Sequence, residues 1–215
     1  MQVPSVTPKK TKQYFVTGID TDIGKTIISA ILVEALAADY WKPVQAGGLD
    51  FTDTDAVQQL VSNPTSHFFK ETYRLNTPAS PHYAAELDGI EIDLKAFKIP
   101  ETEHNLIIEG AGGLFVPLNK EVLIIDLIQE FKIPVVLVAK FYLGSINHTL
   151  SSIDALQKRN IPIAGIIFNG PITESSKKYI LEYSNTTCLA SIPWLENFSK
   201  KEVVKYSKTV RNLLA

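Results

Sequence analysis

Residues Tyr14 to Thr26 read YFVTGIDTDIGKT. The stretch opens on a short apolar run, Tyr14-Phe15-Val16, which is the signal of a brief buried strand. Gly18 breaks it, and Gly24-Lys25-Thr26 begins a segment with helical apolar spacing. Strand, glycine loop and helix start in that order make the context of a phosphate-binding loop. Its backbone N–H groups can face phosphate oxygens, and the helix that follows adds the positive end of its dipole. Lys25 is placed to reach the outer phosphates, and the Thr26 hydroxyl to hold Mg²⁺. The spacing is shifted. The common pattern G-x-x-x-x-G-K-[ST] puts its first glycine at position 19, where this chain has Ile19, and the glycine stands one place earlier at Gly18.

After Thr26, Ile27, Ile28, Ile31, Leu32, Ala35 and Leu36 recur at helical spacing, and the helix is expected to end near Asp39. Tyr40-Trp41 reads as a short strand ending at Lys42-Pro43. Val44 to Thr54 reads as a loop, with Asp53 or Thr54 capping a short helix through Leu60. From Ser62 to Pro100 the pattern weakens, and a helix is placed only around Tyr83–Leu87. Strand signals return at Leu106-Ile107-Ile108, ending at Glu109 before the loop Gly110 to Gly113. Val135–Val138, Ile163–Phe168 and Leu189–Ile192 are further strands. Helices are expected over 122–131, from Ser145 as a candidate N-cap to about Arg159, over 175–183 and over 200–214. The strands are continuous apolar runs, so both sheet faces are covered. Their alternation with helices predicts one α/β domain over residues 14–215 with a doubly wound, mostly parallel sheet. A frayed arm is expected over residues 1–13.

Composition bounds the partners. The chain has 215 residues, 45% of them hydrophobic and 20% charged, with a formal net charge of −2. No global basic field is available for nucleic acid. No run approaches the roughly 20 apolar residues that span a membrane. One cysteine, Cys188, rules out an internal disulfide framework, and with no apolar leader at the N-terminus this predicts a reducing, cytoplasmic setting.

In doubly wound sheets, ligands sit beyond the carboxyl ends of the strands. Here those ends carry the phosphate loop, Lys42 in WKPVQAGG, Glu109 in IIEGAGG, the stretch Lys140 to Asn147, and Asn169. Glu109 is placed to hold Mg²⁺. Of the crowded Asp50, Asp53 and Asp55, one is a candidate second carboxylate, and at least one is a cap. Lys42 is a candidate second cation beside Lys25 for charge on a transferring phosphoryl group. The four histidines show no metal-ligand spacing along the sequence.

Taken together, GIDTDIGKT, KPVQAG, SPH, EGAGG, LGSINHT and IPWL resemble the motifs of the dethiobiotin synthetases, in their order and at about their spacing. The resemblance covers residues 14 to about 195 and implies a P-loop nucleoside triphosphate hydrolase-like fold. It implies ATP-dependent carboxylation of 7,8-diaminononanoate by CO₂ or bicarbonate, with ring closure through a phosphorylated carbamate. It further implies that Asp22, Ile23, Gly24, Lys25, Thr26 and Ile27 bind ATP phosphates, and that Thr26, Asp55 and Glu109 bind Mg²⁺. Lys42 takes the catalytic lysine position beside Lys25. Thr21 meets the substrate, with Ala46 giving at most a backbone contact. Gly110, Ala111 and Gly112 continue the ligand-facing turn. Asn169, Gly170 and Pro193-Trp194-Leu195 match the adenine-binding positions. A homodimer is implied, in which Gly144, Ser145, Ile146 and Asn147 at a helix start of one subunit hold the carboxylate tail of the partner's substrate.

Two departures carry consequences. Ala46 stands where some members have a substrate-touching serine. Gly170 replaces an aspartate found in some members, which predicts tolerance of nucleotides besides ATP. The rival class is a nucleotide switch of the partition-ATPase kind. Such a protein carries an early lysine in the loop, where this chain has Asp20, Thr21 and Asp22. The basic residues of the last helix could imitate its amphipathic anchor, but a solvated helix face explains them more simply.

Overall fold

The computed structural model describes residues 11–194 and 198–214. The chain runs β1 (Gln13–Gly18), α1 (Lys25–Leu36), β2 (Asp39–Trp41), β3 (Val44–Ala46), α2 (Asp53–Leu60), β4 (Phe68–Phe69) and β5 (Tyr73–Leu75). It continues through α3 (Pro81–Asp88), β6 (Leu106–Gly113), α4 (Ile124–Phe131), β7 (Val135–Ala139) and α5 (Ser145–Lys158). It ends with β8 (Ile163–Asn169), α6 (Glu174–Ser184), β9 (Cys188–Ile192) and α7 (Lys200–Leu214). Seven strands make one sheet in the order β4-β2-β6-β1-β7-β8-β9, and every adjacent pair is parallel. β3 and β5 form a small parallel pair of their own.

The strands are apolar without interruption because each face meets its own core. On one face lie Phe15, Leu106, Ile108, Val135, Leu137, Ile166 and Phe168, packed with residues of α4 and α5. On the other lie Val16, Ile107, Val136, Val138 and Ile167, packed with α1 and α7. This is period-2 alternation with both sides buried. Burying such side chains contributes roughly 1.5–3 kcal/mol each. α7 turns Val203, Val210 and Leu214 into this second core, and Arg211 Nε donates to Ala35 O of α1 at 2.9 Å. The apolar face of the last helix is therefore used internally.

Several boundaries differ from the sequence reading. β6 runs on through Gly113, with Gly18 paired to Gly113, so the glycines taken for a loop belong to the strand, with a shift of register and Gly112 at φ 69°. β3 lies inside the expected loop of 44–54. α2 is capped by Thr52, whose side chain accepts from Asp55 N. α5 is preceded by Gly144 at φ 97°, so Ser145 is its first helical residue and not its cap. Within the expected frayed arm, Gln13 already belongs to β1, and Lys12 N donates to Asn105 Oδ1 at 2.8 Å.

The topology sets the site. From β1 the chain crosses to β2, returns to insert β6 between them, and then builds β7, β8 and β9 on the far side of β1. β1 and its neighbours flank the reversal of strand order, and their carboxyl ends share one edge, where such sheets bind ligands.

Candidate active site

The loop after β1 has the shape its residues require. Asp22 is left-handed at φ 50° and Gly24 at φ 89°. A Cβ at Gly24 would lie 2.1 Å from Asn169 Nδ2, so only glycine fits. Asn169, at the end of β8, donates that Nδ2 to Ile23 O at 2.8 Å and ties the loop to the far half of the sheet. α1 then starts at Lys25 with no side-chain cap, leaving its first N–H groups to face the loop.

A cleft of about 800 Å³ opens here, lined by Thr21, Asp22, Lys25, Thr26, Lys42, Asp53 and Glu109 among others. Glu109 is only 1% exposed, and its oxygens have distinct partners. Lys42 Nζ donates to Oε1 at 3.0 Å, and Tyr40 Oη donates to Oε2 at 2.9 Å. Lys42 Nζ also lies 2.8 Å from Asp53 Oδ2. Thr26 Oγ1 is 2.9 Å from Asp53 Oδ1 and 3.2 Å from Glu109 Oε1. Two carboxylates, a hydroxyl and an ammonium thus meet at one point beside the loop.

Burial opposes the charge on Lys42, but the carboxylates of Glu109 and Asp53 outweigh it and raise its pKa above the ordinary lysine value. For Asp53, burial opposes ionisation, and Lys42 outweighs it and holds the carboxyl below the usual range. Among the described residues no carboxylate lies at hydrogen-bond distance from Lys25, and its Nζ donates to Asp20 O at 3.0 Å. Burial lowers its pKa against the opposing pull of Glu109. A phosphate beside Lys25 would favour the charged form. Burial, followed by the charge of Glu109, pushes the Tyr40 hydroxyl well upward, so it stays a neutral donor.

The structure brings together most of the expected residues and corrects others. Thr21, Asp22, Gly24, Lys25, Thr26, Ile27, Lys42, Ala46, Glu109, Ala111, Gly112, Asn169 and Trp194 line the cleft. Asp55 does not. Its Oδ2 accepts from Thr52 N and from Thr52 Oγ1, each at 2.8 Å, closing a capping box, and Asp53 stands in the cleft instead. Gly110 turns into the core, where a Cβ would meet the ring of Phe15 at 2.7 Å. Ile23 is buried in the core and offers the loop only its backbone. Gly170, at φ 99°, and Pro193 lie outside the cleft lining. Leu195 lies outside the described residues. Gly144, Ser145, Ile146 and Asn147 line a separate cleft with Tyr142 and Tyr179, not the main one.

Sequence reasoning missed Tyr40 and Gln45, the latter accepting from Asp53 N at 3.3 Å, and the cleft wall from Pro78 to Pro81. The only signal for that wall was the SPH motif.

A family described as an AAA domain matches residues 12–202. The ATP-dependent dethiobiotin synthetase of Christiangramia forsetii is 52% identical over 89% of this chain and 93% of its own length. That of Cytophaga hutchinsonii is 48% identical over 91% of this chain and 95% of its own. The chain belongs to the dethiobiotin synthetase family. Among solved structures, a ParA family ATPase from Chlorobium tepidum matches with a TM-score of 0.55 at 11% identity, over 93% of this chain and 99% of that one. The septum site-determining protein MinD of Pyrococcus horikoshii, in complex with Mg-ADP, matches at 0.56 and 14%, over 95% and 97%. These two share with the dethiobiotin synthetase family the P-loop α/β fold alone.

Proposed function

We propose that this chain is an ATP-dependent ligase that carboxylates 7,8-diaminononanoate and closes the ureido ring of dethiobiotin in biotin biosynthesis. The convergence of Lys42, Asp53, Glu109 and Thr26 beside the phosphate loop, in a member of this family, carries the reading. One amine adds to CO₂ and loses a proton to give a carbamate. A carbamate oxygen is a poor leaving group, so it takes the γ-phosphoryl of ATP and releases ADP. The second amine then attacks the carbonyl carbon, and phosphate leaves. The protein's part is positioning and neutralisation of charge.

In this reading the loop amides and Lys25 hold the outer phosphates. Lys42, held in its charged form by the buried Glu109 and the half-exposed Asp53, sits where charge develops on the transferring group. Thr26, Asp53 and Glu109 present a hydroxyl and two carboxylates, an all-oxygen set that fits Mg²⁺. Mg²⁺ would neutralise charge on the phosphate oxygens. Thr21, Ala111 and Gly112 face the substrate side. Asn169 and Trp194 border the base. The carboxylate tail is received by the start of α5 of a second copy, which makes the working unit a homodimer. No helix among the described residues is long and apolar enough to cross a membrane, and a cytoplasmic setting agrees with the substrates.

Two features speak against the partition-type switch reading. The loop has no early lysine, and the apolar face of α7 is packed on α1. ADP release distinguishes the two. In the ligase it requires both the diamine and bicarbonate, and diamine-independent hydrolysis at an equal rate would overturn the reading.

A further inference from the structure

The strands are parallel, so the sheet edge opposite the phosphate loop collects their first residues. There Asp39 begins β2, His67 precedes β4 and His104 stands just before β6. The Asp39 side chain is 1% exposed, although it carries a carboxylate. Its Oδ1 accepts from His67 N at 2.8 Å, and its Oδ2 accepts from Thr102 Oγ1 at 2.5 Å. Two imidazoles also turn toward this carboxylate. His104 Nδ1 lies 3.0 Å from Oδ1, and His67 Nδ1 lies 3.4 Å from the same oxygen. The two rings are nearly parallel, at 12° with centroids 5.6 Å apart.

A purely structural role for Asp39 needs the amide, the hydroxyl and one histidine. It leaves unexplained why a second imidazole presents the same nitrogen to the same oxygen. A cation accounts for all three groups. Zinc bonds of about 2.0–2.2 Å at tetrahedral angles put neighbouring ligand atoms about 3.3 Å apart. The two measured separations bracket that value, and the three ligand atoms all lie within 4.8 Å of one another. Thr102 orients the carboxylate from its other oxygen, as outer partners of metal ligands do. His67 is largely exposed, which leaves room for water as a fourth ligand. We propose that Asp39, His67 and His104 form a site for a divalent first-row transition ion of the Zn²⁺ class, remote from the ATP cleft. Two imidazoles and one carboxylate suit such an ion better than Mg²⁺ or Ca²⁺. Bound there, it joins the starts of β2, β4 and β6. β4 has two residues, Phe68 and Phe69, and beyond them, among the described residues, only the bond from Tyr40 N to His67 O at 2.9 Å ties its start to β2 along the backbone, so it gains the most from that clip.

The test is a Zn²⁺ titration of the full, tag-free chain after chelator treatment, with saturating Mg-ATP present to occupy the other cation site. One Zn²⁺ per chain and a rise in thermal midpoint are expected. His67→Ala, at an exposed position, should weaken Zn²⁺ at least about tenfold and abolish the midpoint rise. His104→Ala should do the same, and neither should change ADP release. No stoichiometric binding, or equal affinity in wild type and His67→Ala, would overturn the proposal.

Discussion

Lys42 Nζ and Asp53 Oδ2 lie 2.8 Å apart, joining the end of β2 to the first residue of α2. With Glu109 as its second partner the Lys42 ammonium is buried, while Asp53 stays partly open to the cleft. This arrangement fixes a cation where a phosphoryl group would transfer, so no reorganisation is needed at the moment of reaction.

Lys42→Ala should lower kcat about 10²–10³-fold, the scale seen when one preorganised charge-stabilising donor is lost. Removing one partner of a buried pair also costs stability, of the order of 3–5 kcal/mol. Turnover is therefore compared at a temperature where circular dichroism shows the variant folded. Unchanged turnover would remove Lys42 from the reaction.

Asp53 and Asp55 should separate cleanly. Asp53→Asn should raise the Mg²⁺ concentration for half-maximal rate at least about tenfold, the loss that even an outer-shell contact can bring. Asp55→Ala should leave that concentration unchanged and cost about 1 kcal/mol in urea unfolding, as loss of a cap does. Hydrogen bonds from the Thr52 backbone and side chain hold the Asp55 carboxyl below its usual range. Its folded pKa is depressed, so its contribution is full above the unfolded value, about 3.9. It is lost as pH falls through the lower folded value, and the Asp55→Ala difference should fade on that acid limb.

Gly24→Ala should weaken ATP binding at least about tenfold, since left-handed backbone alone costs an L residue about 1–2 kcal/mol. The added Cβ also strikes the Asn169 amide that ties the loop. Isothermal titration with ATP reads the change, and wild-type affinity would contradict this loop geometry.

Nucleotide choice should be loose. Asn169 spends its Nδ2 on Ile23 O, and Gly170 offers no side chain to a base. Turnover with CTP or GTP is expected within about tenfold of ATP, a gap under about 1.4 kcal/mol. A preference for ATP above about 10³-fold would contradict this.

The fold was legible where short apolar runs met glycine. β1, α1, β7 and β8 follow from local pattern, and parallel order follows from their alternation. The site was legible at Lys25 and Thr26, which open the helix after the glycine loop, at Lys42, which directly follows a strand, and at Glu109, which ends an apolar strand run. It was not legible at Asp53, because Thr52-Asp53-Thr54-Asp55 offers two carboxylates to one cap. Only the helix phase decides that the third helical position bonds back while the first faces the cleft. Residues 62–100 stayed obscure because β4 and β5 have two and three residues, too few for a period. The glycines of β6 read as loop, since extended backbone at Gly110 is dictated by Phe15 packing across the sheet and not by its own propensity. The histidine cluster was invisible to spacing rules, because its members come from three strand starts far apart in the chain.

Dethiobiotin formation is the decisive measurement. The full chain is incubated with 7,8-diaminononanoate, isotopically labelled bicarbonate, Mg²⁺ and ATP, and the mixture is resolved by mass. Dethiobiotin carrying one labelled carbon is expected, with one ADP released per product and no product when any component is left out. Absence of that product, with ATP hydrolysis indifferent to the diamine, would overturn the proposed reaction.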